Sequence, residues 1–388
     1  MKQKLKKTEV WHIICLTTPP QVSSLGSYAL RIAFNLQEQG KEVHLWSLSK
    51  EAGLNGVHCH FLKDKAGQKG FIKNFEALLN KNSVIRVLWF YEPRIYRVLN
   101  KKLPELLSKR NREKTSLSVI IHKGLEKSYN LPHLRNFFPY LSERLSLKKL
   151  VSQCNFIFVT APYLEAKIIN LVKNPSKRPP IHWLPLQSNI EYQEDRRRSL
   201  NIRKAFAPES QVLIGSFGTF CDKKQTRDLE KKITLLLNNH PERFFLCIGR
   251  GSDLFVEKMK KHHNNLEYQI EATGELDYSG VSAHIQACDL LIQTYPKGIT
   301  AKNTSLITAL SHQKAILAPM GKRTENFWKI KKPVSLYLEN SDLDFIEKFE
   351  QIIYDSSFKK NLEKKAQETY LQIFSPNLAI SKILSLLF

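Results

Sequence analysis

The chain has 388 residues, 42% apolar and 25% charged, with a formal net charge of +24. That length is too great for one core of ordinary size and points to two domains, and the composition excludes a disordered or low-complexity chain. The charge is lopsided, +19 over residues 1–185 and +5 over 186–388. It suits an anionic substrate, acceptor or membrane surface. No helix-turn-helix, zinc-finger or aromatic RNA-binding signature accompanies it, so nucleic acid is not expected as a partner.

Residues 1–7 are basic and 10–16 apolar, but the run is short and leads into Thr17-Thr18-Pro19-Pro20 with no small-residue cleavage site. It reads as a first strand rather than a signal peptide. No stretch approaches the roughly 18 apolar residues of a membrane span. A cytoplasmic protein is expected, peripheral at most on the inner face of the membrane. Cys15, Cys59, Cys154, Cys221, Cys247 and Cys288 are scattered without a C-x-x-C pair and read as reduced thiols. His58-Cys59-His60 places two imidazoles on one face of a strand-like segment. Two ligands without a third do not make a site, so no metal is expected.

The first half alternates β-rich runs (10–17, 42–47, 56–62, 84–91, 117–122, 156–160, 181–184) with helix-like stretches (27–39, 71–79, 93–109, 134–151, 162–172). In the first helix Leu30, Ala33, Phe34 and Leu36 are expected on one face, with Gly40 closing it. Charged residues 191–198 read as a linker and 201–210 as a lead-in helix. A second alternation follows, with strands at 212–217, 244–249, 266–271, 290–294, 315–318 and 334–338. Its helices are expected at 224–237, 254–262, 280–288, 304–312, 342–354 and 358–374. An amphipathic segment, 376–388, ends the chain. The expected fold class is α/β, two Rossmann-like doubly wound parallel-sheet domains (1–190 and 191–375) facing a central cleft, with 376–388 crossing back to the first.

Several motifs sit at strand ends. Gly26 and Ser27 follow the first strand. His122 ends Ser118-Val119-Ile120-Ile121, and Gly218-Thr219 with Lys223 and Lys224 follow Val212–Phe217. Gly249-Arg250-Gly251 follows Phe244–Ile248, and Gly274-Glu275 lies beside it. Asp289, Pro296 and Gly298 lead into Thr300-Ala301-Lys302-Asn303-Thr304-Ser305-Leu306. A basic residue, two hydroxyls and backbone N–H groups at a helix start form an anion site. Thr304 or Ser305 also suits simple N-capping.

The order and spacing of these signals resemble the GT-B fold retaining glycosyltransferases, the glycosyl transferase group 1 family with many bacterial mannosyl- and glucosyltransferases. The resemblance runs over nearly the whole chain. It implies a metal-independent transferase with a nucleotide diphosphate sugar as co-substrate and no further cofactor. It also implies a glycan or lipid-linked acceptor, anionic to match the basic first domain. His122 and Lys224 would be catalytic. Gly26, Ser27, Gly218, Thr219, Lys224, Gly249, Arg250, Gly251, Gly274, Glu275, Thr300, Lys302, Asn303, Thr304 and Ser305 would bind the donor. The chain departs from the pattern at several positions: only Gly26 remains where the family usually has paired glycines. Thr219 stands where the family has a clamp Arg, and Thr300 and Thr308 stand where most members carry two glutamates. The Gly298–Leu306 loop resembles a version found in some members, G-x-S-x-R-x-x-S-L. The alternative is a catalytically inactive GT-B-like binding or assembly protein.

Overall fold

The computed structural model describes residues 9–15, 24–47, 55–61, 70–73, 75–77, 84–91, 102, 105–106, 114–122, 137–208 and 211–387. The chain divides into two compact units, Met1–Leu186 with Pro376–Phe388, and Gln187–Ser375.

In the first unit the strands are β1 (Glu9–Ile14), β2 (Glu42–Ser47), β3 (His58–Phe61), β4 (Val84–Tyr91), β5 (Thr115–Ile121), β6 (Phe156–Val159) and β7 (Ile181–Trp183). They pair in parallel in the order β3-β2-β1-β4-β5-β6-β7. The central strands are buried along their length, as a parallel sheet covered on both faces requires: every residue of β5 is buried. Helix α1 (Ser24–Glu38) buries Leu25, Tyr28, Ala29, Ile32, Ala33 and Leu36, a stripe at helical spacing. Phe34, expected on that stripe, is 43% exposed, because it lies outside the 25-28-32-36 row. The helix also begins earlier than the sequence suggests. Gly26 and Ser27 therefore lie in its first turns rather than in a loop before it. Gly40, at φ 73°, ends it. Helices α2 (Phe137–Val151) and α3 (Tyr163–Leu171) follow.

The C-terminal helix Pro376–Leu387 packs against α1 and buries Ala379, Ile380, Ile383 and Leu387. Its Lys382 Nζ donates to the Trp183 carbonyl at 2.8 Å. Leu378, grouped with this stripe in the sequence, is 41% exposed. Among the described residues no helix is long and apolar enough to cross a membrane.

The second unit has strands β8 (Val212–Phe217), β9 (Arg243–Ile248), β10 (Ile270–Ala272), β11 (Leu290–Ile292), β12 (Ile316–Met320) and β13 (Ser335–Leu338), all parallel, in the order β10-β9-β8-β11-β12-β13. Its helices are α4 (Arg196–Phe206), α5 (Lys223–Leu237), α6 (Ser252–His262), α7 (Tyr278–Ala287), α8 (Thr304–Ser311), α9 (Asn326–Lys331), α10 (Asp342–Tyr354) and α11 (Ser356–Thr369), the last running into a π-turn at Tyr370–Phe374. Leu229, Ile233 and Leu236 of α5 meet Phe245, Leu290, Leu317, Phe345 and Phe349 in the core.

Three sequence expectations are corrected in this unit. Residues 196–198 are the first turn of α4, because the Asp195 carboxylate accepts from Arg198 N and caps a helix there. Most of the strand expected at 266–271 is a 3-10 turn, Asn264–Gln269, and only Ile270–Ala272 pairs with β9. The short helix α9, which has a single buried residue, Trp328, carries too little periodicity to be found from sequence.

Arg243 opens β9 with its side chain 2% exposed. Its guanidinium bonds Glu350 Oε1 at 2.7 Å and the Leu236 carbonyl at 3.2 Å, and lies 4.9 Å from the Phe349 ring centroid. Arg243→Met keeps the volume but leaves the carbonyl and carboxylate without their donor. It should destabilise the protein by about 3 kcal/mol, read as a fall in the urea midpoint.

Candidate active site

The second sheet reverses direction between β8 and β11. The chain steps outward from β8 through β9 to β10, then crosses back to place β11 on the other side of β8. In open parallel sheets the loops at the carboxyl ends of two such strands diverge and leave a ligand crevice. Here those are the loop Gly218–Asp222 and the segment Gln293–Asn303 leading to α8.

Contacts between backbones draw three loops together at this point. Gly218 N donates to the Ile248 carbonyl and Phe220 N to the Arg250 carbonyl, both at 3.0 Å. A Cβ on Gly249, whose φ is 117°, would collide with the Gly218 carbonyl oxygen, so glycine is required for the approach. Gly249 N donates to Thr273 Oγ1 at 3.1 Å, and Gly274 N to Ser252 Oγ at 3.0 Å, which ties in the loop after β10. On the other side, Gly218 faces Ser305 in the first turn of α8, 3.8 Å from a Cβ position on the glycine to Ser305 Oγ.

A short polar chain fixes that face. Gln293 Nε2 donates to the Phe217 carbonyl at 3.0 Å, Tyr295 Oη donates to Gln293 Oε1 at 3.1 Å and is 2.7 Å from Ser305 Oγ. The amide and phenol thus hold the start of α8 against the end of β8. The first three loops were legible from their glycines. Gln293 and Tyr295 were not singled out, since a Gln and a Tyr after an apolar strand carry no motif.

Asn303 is the N-cap of α8 but makes no side-chain bond into the helix. Its Oδ1 accepts instead from Thr300 N at 2.6 Å and Thr300 Oγ1 at 3.0 Å. The first turn of α8 therefore presents Thr304 and Ser305 without a cap from Asn303, where the helix dipole favours an anion, while the Leu306 N–H turns to Tyr295 Oη. Lys302 is half-buried at its edge. Lys224, in the first turn of α5, is exposed, and its backbone N–H is capped by Asp222. Thr219, Arg250 and Glu275 are exposed; Gly251, at φ 81°, is the left-handed N-cap of α6.

The two threonines at the glutamate positions are both buried. Thr300 folds back on Asn303. Thr308 Oγ1 lies 3.0 Å from Ser188 Oγ, and its carbonyl accepts from Ser311 Oγ and His312 Nδ1 at 2.8 Å each. Burial lowers the His312 pKa to about 4, so the ring is neutral and its Nε2 accepts from Ser282 Oγ at 2.9 Å. Thr308 is thus part of a buried hydrogen-bonded cluster with Ser188, Ser311 and His312.

A carboxylate does approach the loop from another element. Glu325 accepts from Ala301 N at 3.1 Å and from Trp328 Nε1 at 2.9 Å. Burial raises its pKa to about 7, against the opposing pull of those donors and of Lys302.

In the first unit His122 follows β5 and is buried at 5% exposure, not exposed as a strand-end residue often is. Its Nδ1 lies 3.1 Å from Thr160 Oγ1 at the end of β6. The switch point of this sheet falls between β1 and β4. The segments after those strands, 16–23 and 92–100, lie outside the described residues, as does most of the loop expected to precede Gly26.

No protein-family model and no curated protein matches the chain. Solved structures do. WaaG, a glycosyltransferase involved in lipopolysaccharide biosynthesis, superposes with TM-score 0.68 at 13% identity, over 96% of this chain and 99% of its own. Sucrose-phosphate synthase from Thermosynechococcus elongatus gives 0.71 at 13%, over 97% and 98%. HepE from Anabaena, in complex with UDP, gives 0.69 at 12%, over 98% and 99%.

The chain has the GT-B fold. At such identities the likeness concerns the path of the backbone, and the chemistry of this GT-B chain rests on its own side chains.

Glu325 supplies a pH test of the loop geometry. Its carboxyl is protonated more readily in the folded state than unfolded, so its contribution to stability is full below pH 4.5 and is lost as pH rises to about 7. Glu325→Gln removes this fall. The stability of the variant relative to wild type should climb between pH 4.5 and 7 and stay level above, as followed by urea unfolding at pH 4.5, 6 and 8.

Proposed function

We propose that this protein is a glycosyltransferase that takes a sugar from a nucleotide diphosphate donor and passes it to a glycan or lipid-linked acceptor with retention of configuration. The observation that carries this reading is the meeting of Gly218, Gly249 and the start of α8, which Asn303 leaves without a cap, at the switch point of the second sheet. The glycines leave the backbone bare of side chains there, and the dipole of α8 favours the charge of a diphosphate.

In this reading Gly249–Gly251 and Gly274-Glu275 receive the nucleoside. Gly218, Thr219, Thr304 and Ser305 receive the diphosphate, with Lys224 and Lys302 supplying positive charge. The acceptor hydroxyl oxygen bonds to the anomeric carbon as the bond from that carbon to the phosphate oxygen breaks. The proton passes to the departing diphosphate on the same face, so no protein carboxylate and no metal ion takes part in the step. The developing charge on the leaving group is what the lysines and the helix start stabilise. His122 and the Gly26–Ser27 end of α1 serve the sugar and acceptor. A donor of the UDP class fits the likeness to HepE, which was solved with UDP.

A second reading, a GT-B-like binding protein without turnover, is favoured by Thr308. The position that carries an acid in most of the family is here part of a buried cluster with Ser188 and Ser311. Donor hydrolysis separates the two. An enzyme should release nucleoside diphosphate slowly from one member of a nucleotide-sugar panel, and a binding protein from none.

Calorimetry with UDP, GDP and ADP tests the donor site itself. One of them should bind saturably, and Lys302→Ala should weaken it about tenfold, on the order of 1.4 kcal/mol. Absence of binding by all three, or wild-type affinity in the variant, overturns the assignment.

The +19 excess in residues 1–185 is assigned to an anionic acceptor or to peripheral contact with an anionic membrane. Liposome sedimentation at low salt should recover more protein with anionic than with neutral vesicles, and added salt should abolish the difference. Equal recovery contradicts it.

A further inference from the structure

A row of histidines crosses the edge of the first sheet. The parallel register sets His12 of β1 opposite His44 of β2, and His44 opposite His58 of β3. Parallel partners point to the same face. Glu42, two residues before His44, and His60, two residues after His58, share that face by the period of a strand. The rings stack in sequence, His12 on His44 and His44 on His58, each at 4.8 Å between centroids.

The face divides into a closed and an open end. At the closed end His12 is fully buried, its Nδ1 accepting from Trp46 Nε1 at 3.1 Å, and Trp46 stacks on His60 at 4.0 Å and on Phe71 edge-on. At the open end Glu42 and His58 are exposed and His44 is half-buried. One ligand atom from each of these three lies within 4.8 Å of the other two.

We propose that Glu42, His44 and His58 form a binding site for a divalent first-row transition metal, Zn2+ in the first instance, that ties the edge strand β3 to β2. Nitrogen and carboxylate donors suit this class of ion, and three protein ligands with water in the fourth position is a common zinc arrangement. Metal–ligand bonds of about 2.0–2.2 Å in a tetrahedron set its edges at ~3.3–3.6 Å. His44 Nε2 and Glu42 Oε1 already stand 3.1 Å apart. His58 is exposed, with a ligand atom within 4.8 Å of both, and would turn its ring to close the third position.

The outer support is built in. His44 Nδ1 lies 2.8 Å from His60 Nε2, so with Nε2 of His44 on the metal, its Nδ1–H donates to His60. A ligating histidine usually has such a partner, which fixes its ring and tautomer. The Trp46 stack holds His60 in turn. His60 is therefore a positioning residue.

The place of the site separates it from group transfer. Glu42 and His58 are the first residues of their strands, at the amino ends, whereas ligand crevices of such sheets open at the carboxyl ends. An ion here restrains an edge strand of four residues.

The test uses the untagged full chain, stripped with chelator and titrated with Zn2+ by calorimetry and with Co2+ by visible absorption. One Zn2+ per chain and an intense tetrahedral Co2+ band are expected, with a higher melting temperature in the presence of Zn2+. Glu42→Gln and His58→Asn, at exposed positions where the fold should be kept, should each weaken Zn2+ at least tenfold. His60→Asn should weaken it about 10–100-fold through His44. Cys59→Ser and the pair His262→Asn with His263→Asn, which flank Glu230 elsewhere, should leave binding unchanged. The proposal is overturned by absence of saturable Zn2+ binding, by an octahedral Co2+ spectrum, by wild-type affinity in His58→Asn, or by loss of binding in Cys59→Ser or the His262/His263 variant.

Discussion

Much of the second unit depends on how closely two backbones approach at the end of its central strands. Gly249 passes against the Gly218 carbonyl with no space for a side chain, and this contact sets where both loops go. It draws the end of β9 toward the end of β8, and Phe220 N bonded to the Arg250 carbonyl keeps them parallel for a further step. The same loop after β8 then faces Ser305 across the switch point. A Cβ at Gly249 would push the loop after β9 away from the loop after β8.

The helix start is held with equal economy. Asn303 spends its side chain on Thr300 rather than on capping α8, while Tyr295 and Gln293 connect Ser305 to the Phe217 carbonyl. The Asn303 side chain is thus tied up within the loop rather than on the helix end. Glu325 closes the far side of the loop through Ala301 N. It is a half-buried acid serving the loop backbone, on an element distinct from the positions where acids occur in most of the resembled family.

The first unit shows the same logic of register in a different use. Histidines far apart in sequence, at 12, 44, 58 and 60, fall on one face because parallel pairing sets partners side by side. Their stacking, with Trp46 on His60, makes a polar, ring-filled margin along an edge strand of four residues.

The alternation of strands and helices was readable in the chain because a parallel sheet buried on both faces demands short apolar runs, and helices of one apolar stripe demand a 3.6-residue period. The two α/β units followed from such local rules, while the glycine turns at 218, 249, 251 and 274 and the loop from Gly298 to Ser305 stood out through their resemblance to family motifs. Tertiary structure decided what local rules do not encode. Phe34 is apolar yet exposed, because helix phase is set by the sheet it meets. Residues 264–269 are β-prone in part yet form a 3-10 turn, because only Ile270–Ala272 reach a partner strand. The role of Tyr295, Gln293 and Glu325 required seeing which loops touch. His58 and His60 offered two ligands in sequence, and only the register of β2 against β3 placed His44 and Glu42 beside them. Periodicity reports which face a residue takes along its own strand; which residues it meets across strands is fixed by long-range pairing.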